Sequence, residues 1–168
     1  KYRIITLDQI GHGLTGPNPS DDYSPAAFVY VLDRTLAKLG VTHFALAGNS
    51  MGGAVAWNYA LAHPEKVDAL ILIDAAGAPV AMPGQLPLGF RIARMPVIRR
   101  LAEGITPRTL IEKTVRQTIY KQSVIDDRMI DRYWELLLYP GNRRATALRF
   151  STKRIAADTK AISRLHMP

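Results

Sequence analysis

The sequence contains no cysteine, and this absence excludes disulfide bonds and thiolate metal sites. It also has no apolar run near the roughly 18 residues that would indicate a membrane-spanning helix. With 48% hydrophobic and 21% charged residues in a chain of 168, the composition is that of an ordinary globular protein, and the length favours one domain.

An initiator methionine and a signal-peptide pattern are both missing from the opening residues, KYRIITLD. These residues resemble the interior of a strand-bearing domain, so we expect the chain to be part of a longer protein. With no targeting segment in sight, a cytoplasmic location is favoured, although such a segment could lie upstream. The oligomeric state is left open.

Three short apolar segments are predicted to be buried strands: residues 3–8, 42–48 and 69–74. Two predicted helices alternate with them. The first has Ser24 as N-cap, Pro25 at its first position and Gly40 after its end, and the second covers residues 51–62. Alternating strands and helices with near-continuous apolar strands predict a parallel sheet flanked by helices, the α/β class.

After residue 78 the pattern becomes helical throughout. Pro96 interrupts the first predicted helical segment, and further helices are predicted at 107–120, from Asp126 or Asp127, and from residue 142. We therefore divide the chain into an α/β part (1–78), an all-helical insertion (79–150) and a return segment (151–168).

The stretch LAGNSMGGAVAW contains Gly48-Asn49-Ser50-Met51-Gly52, a G-x-S-x-G motif between a predicted strand and a predicted helix. In this setting the glycines let the chain turn sharply, which places the Ser50 hydroxyl at the carboxyl end of the sheet. The N–H of Met51 lies in the first helical turn, where it has no intrahelical acceptor and could stabilise negative charge on a substrate oxygen.

Four stretches together resemble the α/β-hydrolase family, specifically its ester and carbon–carbon bond hydrolases with a helical lid: RIITLDQIGHGLTGP, LAGNSMGGAVAWNYALAHPEKV, LILIDAAG and the helical insertion. The resemblance implies a partial α/β-hydrolase fold with residues 79–150 as the lid. It also implies that Ser50 is the nucleophile, that the Met51 N–H is one oxyanion donor, and that Asn49 is adjacent to the substrate.

A serine nucleophile requires a base, and none of the four histidines fits that role. His12 lies in a glycine-rich loop, His43 precedes the second predicted strand at the end opposite to Ser50, and His63 ends the helix after Ser50. His166 comes before, rather than after, the place where the family's acid is found. The base is therefore expected outside these residues.

Asp74 is a candidate for the acid because it ends the third predicted strand at the same edge as Ser50, although the commoner use of this position is structural or substrate-adjacent. In the family a strand that precedes residues 3–8 lies between them and the 42–48 strand in space. Without it two backbone edges would be left open. We therefore expect these 168 residues alone to be inactive and poorly stable.

The charge is uneven. Residues 1–90 hold five Lys/Arg against seven Asp/Glu, whereas residues 91–168 hold seventeen against seven. The basic residues of the second half are interpreted mainly as solvated faces of lid helices. Contact with an anionic membrane surface is a weaker alternative, and no recognised module supports nucleic-acid binding.

The sequence thus predicts a serine hydrolase that cleaves an ester, or a carbon–carbon bond next to a ketone, in a small and largely apolar substrate. The chemistry needs no metal or organic cofactor. The alternatives are a hydrolase-like protein that binds a ligand without efficient turnover, or an inactive fragment. A dehalogenase-type reaction is disfavoured because it needs a carboxylate nucleophile where this chain has Ser50.

Overall fold

The computed structural model describes residues 2–77, 104–151 and 158–168, together with Leu88, Arg91 and Met95. The described residues fall into two compact units. One contains residues 2–23 and the described part of 83–152. The other contains residues 24–77 and 158–168 and carries the G-x-S-x-G motif.

The unit with the motif is built on two parallel strands, β1 (Phe44–Asn49) and β2 (Val67–Ile73). Helix α1 (Pro25–Lys38) precedes β1, and α2 (Met51–Ala62) connects the two strands. Because the strands are parallel, their carboxyl ends lie at the same edge of the sheet, with Asn49 paired to Ile73. This arrangement of parallel strands and flanking helices was predicted.

Local sequence signals account for the ends of α1. The Ser24 hydroxyl accepts a hydrogen bond from the Ala27 N–H at 3.3 Å, and Pro25 is the first helical residue. After the helix ends, Gly40 adopts a φ of +65°, which favours glycine. Side chains at helical spacing, Phe28, Leu32 and Leu36 among them, are buried.

The predicted strand at residues 3–8 is corrected by the structure, in which residues 2–8 belong to no strand. Tyr2 and Ile4 are 96% and 83% exposed. A strand exists through hydrogen bonds to a neighbouring strand, and β1 and β2 pair only with each other within the described residues. The β-branched composition of the segment favours an extended strand, but among the described residues no neighbouring strand pairs with it.

A polar cluster centred on Asp33 of α1 joins that helix to α2 and to the chain after it. Tyr59, which is fully buried, donates to Asp33 at 2.9 Å, and the Lys66 ammonium donates to the same oxygen at 2.6 Å. Those two bonds, the Lys66 bond first, hold the pKa of Asp33 below its usual range. Burial, followed by the bond to Asp33, raises the pKa of Tyr59.

The described residues of the other unit include the helices α3 (Arg108–Thr118), α4 (Asp127–Leu138) and α5 (Asn142–Ser151). A helix was predicted to begin at Asp126 or Asp127, and α4 begins at Asp127 with Asp126 as its N-cap, whose side chain accepts from the Met129 N–H at 2.7 Å. Arg108 joins α3 to α4 through Asp131 at 2.5 Å and Asp127 at 2.8 Å.

Residues 9–23, a glycine-rich loop, pack against α5 in this same unit. The buried Asn142 donates to the carbonyls of Gly13 and Leu136, both at 2.9 Å, and Arg144 pairs with Asp21 at 2.5 Å. The contacts with Gly13 and Asp21 join parts of the chain more than 120 residues apart.

Several expectations fall on residues outside the described set. These are the break at Pro96, the boundary between residues 78 and 79, and the basic residues Arg94, Arg99, Arg100, Lys153 and Arg154. The division into 1–78, 79–150 and 151–168 thus stays a prediction. In the last of these segments the structure shows one short helix, α6 (Thr159–Ile162).

Among the described helices, none combines the length and the apolar character that a membrane crossing requires.

The Asp33 cluster gives a pH-dependent prediction. Because the folded-state pKa of Asp33 lies below its unfolded value, its contribution to stability is present above about pH 4 and is lost as the pH falls through the folded-state pKa. Asp33→Asn should therefore lower the melting temperature by a few degrees at pH 7, and by progressively less below about pH 4.

Thermal unfolding of wild type and variant between pH 3 and pH 8 measures this difference. The control is Asp68→Asn, which changes an exposed acid 3.3 Å from His43 in the same unit. An equal deficit of Asp33→Asn at pH 3 and pH 7 would contradict the assignment.

Candidate functional site

Ser50 lies between the last residue of β1 and the first residue of α2, and it is exposed. Its backbone has φ 50° and ψ −113°, a combination that L-residues rarely adopt. Such a conformation costs roughly 1–3 kcal/mol and persists only where the surroundings hold it. The Ser50 side chain makes no capping hydrogen bond to α2, so its hydroxyl is not used to start the helix.

Both backbone groups of Ser50 are bonded to β2 and to the turn that follows it. The Ser50 N–H donates to the Ile73 carbonyl at 3.0 Å, and the Ser50 carbonyl accepts from the Ala76 N–H at 2.8 Å. The Asn49 amide also donates to the Ile73 carbonyl, at 3.1 Å. These three bonds attach the turn at Ser50 to the end of the neighbouring strand.

The glycines around Ser50 have different physical roles. A methyl group on Gly48 would lie 2.3 Å from the carbonyl carbon of Gly52, and one on Gly53 would lie 2.5 Å from the Ala75 Cβ. Gly52, by contrast, has open space at that position among the described residues. The close approach of α2 to the strand ends therefore depends on Gly48 and Gly53.

The Met51 N–H is placed as the sequence suggested, in the first turn of α2. The first backbone bond of the helix runs from the Ala54 N–H to the Ser50 carbonyl at 3.1 Å, so the N–H groups before Ala54 have no acceptor within the helix. These N–H groups lie at the positive end of the helix dipole, which favours negative charge beside them.

Asp74 directly follows β2 and adopts a φ of 45°. It is exposed, and it is the next residue after Ile73, whose carbonyl accepts from Ser50. Asn49, Ser50, Met51 and Asp74 are thus brought to one edge of the two-stranded sheet.

Two of the three histidines of this unit, His43 and His63, lie away from that edge. His43 precedes β1 and is 3.3 Å from Asp68. His63 follows α2, and the 12 residues of that helix separate it from Ser50 by about 18 Å. His166 is exposed, near the end of the described chain.

In the other unit, His12 is paired through Nδ1 with the Ile10 carbonyl at 3.0 Å, and burial lowers the pKa of its imidazole. The described residues contain no group of three or more His, Asp or Glu side chains arranged to hold a metal ion.

Comparison with protein families gives a match to the alpha/beta hydrolase fold model over residues 1–100, more than half of the chain. The chain belongs to the α/β-hydrolase fold family. The predicted family and fold class are thereby confirmed.

Among curated proteins, an uncharacterized protein of Mycobacterium tuberculosis is 33% identical over 97 residues, which cover 58% of this chain and 27% of that protein. A Klebsiella pneumoniae protein described as a carbamate hydrolase is 37% identical over 75 residues, covering 44% of this chain and 28% of the relative. A 1-acylglycerol-3-phosphate O-acyltransferase of Arabidopsis thaliana is 36% identical over 81 residues, which cover 46% of this chain and 19% of that protein.

Among solved structures, a meta-cleavage product hydrolase from Pseudomonas fluorescens IP01 superimposes with a TM-score of 0.72 at 22% identity, over 94% of this chain and 56% of that one. This likeness shows the fold. The chain spans just over half of that structure and about a third or less of these curated relatives, so the activity of the whole protein is taken up below as a proposal.

Two features of the site were not predicted from the sequence. One is the requirement for glycine at position 53. Gly53 follows the five-residue motif directly and is not part of it. The other is the turn after β2, where the Ala76 N–H bonds to Ser50. The Ala-Ala-Gly run at 75–77 marks that turn, but it does not predict the bond to Ser50.

The glycine geometry generates a prediction about stability. Gly48→Ala and Gly53→Ala should each lower the melting temperature by several degrees, because the added methyl group overlaps backbone or side-chain atoms. Gly52→Ala is the matched control. It should leave the melting temperature unchanged or raise it, because alanine favours a helix more than glycine does. A loss for Gly52→Ala equal to the other two would contradict this account.

Proposed function

We propose that this protein is a serine hydrolase in which Ser50 attacks an ester, or a carbon–carbon bond next to a ketone, of a small and largely apolar substrate. The observation that carries the proposal is the backbone of Ser50, exposed and held at positive φ between a strand and a helix. A structural serine in a turn has no need of such a conformation, whereas a nucleophile gains access to substrate from it.

The chemistry for an ester is acyl transfer. The Ser50 hydroxyl loses its proton to a base while Oγ bonds to the carbonyl carbon, and the carbonyl oxygen becomes an oxyanion that accepts from the Met51 N–H. The intermediate expels the alcohol, which takes up the proton, and water then releases the acid and regenerates Ser50. The reaction involves no metal or organic cofactor.

The base and the second oxyanion donor are proposed to come from outside residues 1–168. In the family's chain order the acid and the histidine follow the lid, and none of the four histidines here has the required position. Asp74 is retained as a candidate for the acid because it lies at the same sheet edge as Ser50. Asn49 is proposed to be adjacent to the substrate, although its amide already donates to Ile73.

Similarity to proteins described as a carbamate hydrolase and a meta-cleavage product hydrolase supports a hydrolytic reaction on a small molecule. Residues 79–150 are proposed to form the lid, which contributes to substrate specificity. We propose that the basic residues of the lid are largely solvated. Contact with an anionic membrane surface is the weaker alternative, and we expect no binding to nucleic acid.

The first prediction from this proposal concerns Ser50. In the polypeptide as its native host makes it, Ser50→Ala should reduce hydrolysis of a p-nitrophenyl ester at least about 10⁴-fold, because no other group replaces the nucleophile. A fluorophosphonate should label wild type on the peptide containing Ser50, as read by mass spectrometry. Ser123→Ala, which changes an exposed serine in the other unit, is the control.

Turnover by Ser50→Ala close to wild type would contradict the serine mechanism. A folded wild type that turns over no ester and takes no label would instead favour the alternative of a ligand-binding protein.

The second prediction concerns Asp74. Since the family's acid commonly comes after the lid, Asp74→Asn should lower kcat by less than about tenfold, and asparagine tolerates the positive φ at this position. The measurement is the steady-state kinetics of wild type and Asp74→Asn, with Asp68→Asn as the control. A loss of about 10³-fold or more would instead make Asp74 the acid of the triad.

A further inference from the structure

We propose that Trp57 is a positioning residue for Ser50, acting through the turn at residues 74–77. The inference rests on the proposed role of Ser50 as the nucleophile. It extends that role to a side chain two helical turns away that neither the motif nor the comparisons assign.

The first link is a pair of hydrogen bonds that pass through Ala76. The Trp57 indole N–H donates to the Ala76 carbonyl at 3.0 Å, and the N–H of Ala76 donates to the Ser50 carbonyl at 2.8 Å. Trp57 is 8% exposed, so its indole is held within the unit. One peptide segment is thus bonded to the nucleophile on one side and to a buried side chain on the other.

The second link is steric. Gly77 has a φ of 112°, and a methyl group on it would lie 2.9 Å from Cζ2 of the Trp57 ring. The turn therefore lies against the Nε1 edge of the indole, which limits how closely the turn can approach α2. The hydrogen bond and the ring together leave the turn little freedom to move relative to the helix that carries Ser50 and Met51.

This restraint acts on Ser50, whose backbone conformation is rarely adopted by L-residues. The Ser50 N–H is bonded to the Ile73 carbonyl, and the Ser50 carbonyl accepts from Ala54 in α2 and from Ala76 in the turn. The unfavourable φ persists because these bonds hold the backbone on both sides of the residue. If the Trp57 donor is removed, the Ala76 carbonyl loses its bond and the turn gains freedom. The Ser50 hydroxyl and the Met51 N–H then spend less time in the geometry for attack, which lowers kcat more than substrate affinity.

The test compares two tryptophan variants in the protein as its host makes it. Trp57→Phe removes the indole donor to Ala76. Trp134→Phe is the matched control, since its indole also donates to a backbone carbonyl, that of Thr106, at 2.9 Å, but in the other unit. A third variant carries 3-benzothienyl-alanine at position 57, which keeps the fused rings and lacks only the N–H, so that it folds even where phenylalanine leaves too large a gap.

We expect Trp57→Phe and the benzothienyl variant to lower kcat roughly five- to tenfold with KM within twofold of wild type, and to slow fluorophosphonate labelling of Ser50 by a similar factor. Trp134→Phe should leave both rates within twofold. Melting temperatures should fall by similar amounts in the two phenylalanine variants, so that stability does not explain the difference in rate.

Two outcomes overturn the proposal and are distinct from each other. If Ser50→Ala is inactive but both position-57 variants match Trp134→Phe in kcat and labelling rate, Ser50 is the nucleophile and Trp57 does not position it. If Ser50→Ala stays active, the serine mechanism itself is wrong, and the positioning role is wrong with it.

Discussion

The site depends on one constraint, a serine backbone that must remain at positive φ. A φ of 50° with ψ of −113° is not a local minimum for a residue with a side chain, so the surrounding atoms have to maintain it. They do so through the Ile73 carbonyl and the Ala76 N–H, one on each side of Ser50. The parallel pairing of β1 with β2 is what brings these partners to Ser50, since it places Asn49 opposite Ile73.

The same constraint explains where glycine is required. The turn into α2 is so tight that the helix backbone comes against the end of β1, and there Gly48 and Gly53 leave room that no side chain would. Small residues at the start of α2 thus belong to the geometry of the turn at Ser50. Farther along the helix the residues become larger, and Tyr59 and Lys66 secure α2 and the chain after it to Asp33 of α1.

Local signals predicted much of this unit. Ser24-Pro25 marked the start of α1, the apolar runs marked β1 and β2, and the glycines marked the turn at Ser50, because each of these acts through neighbours in sequence. Residues 3–8 show the limit, since a β-branched run becomes a strand only where a partner supplies hydrogen bonds. The bond from Ala76 to Ser50 could not be predicted either, because it spans 26 residues and joins backbone groups that every residue type carries.

The contacts of residues 9–23 have a consequence for the order in which the chain folds. The loop is made early in synthesis, but its partners Asn142 and Arg144 are made more than 120 residues later. The Ser50 turn needs only residues up to 77, a nearly contiguous stretch whose contacts close short loops. On a ribosome adding about 5–20 residues per second, the Ser50 turn can form seconds before the glycine-rich loop meets α5. The closure of the glycine-rich loop onto α5 is therefore a long-range step that follows formation of the Ser50 turn.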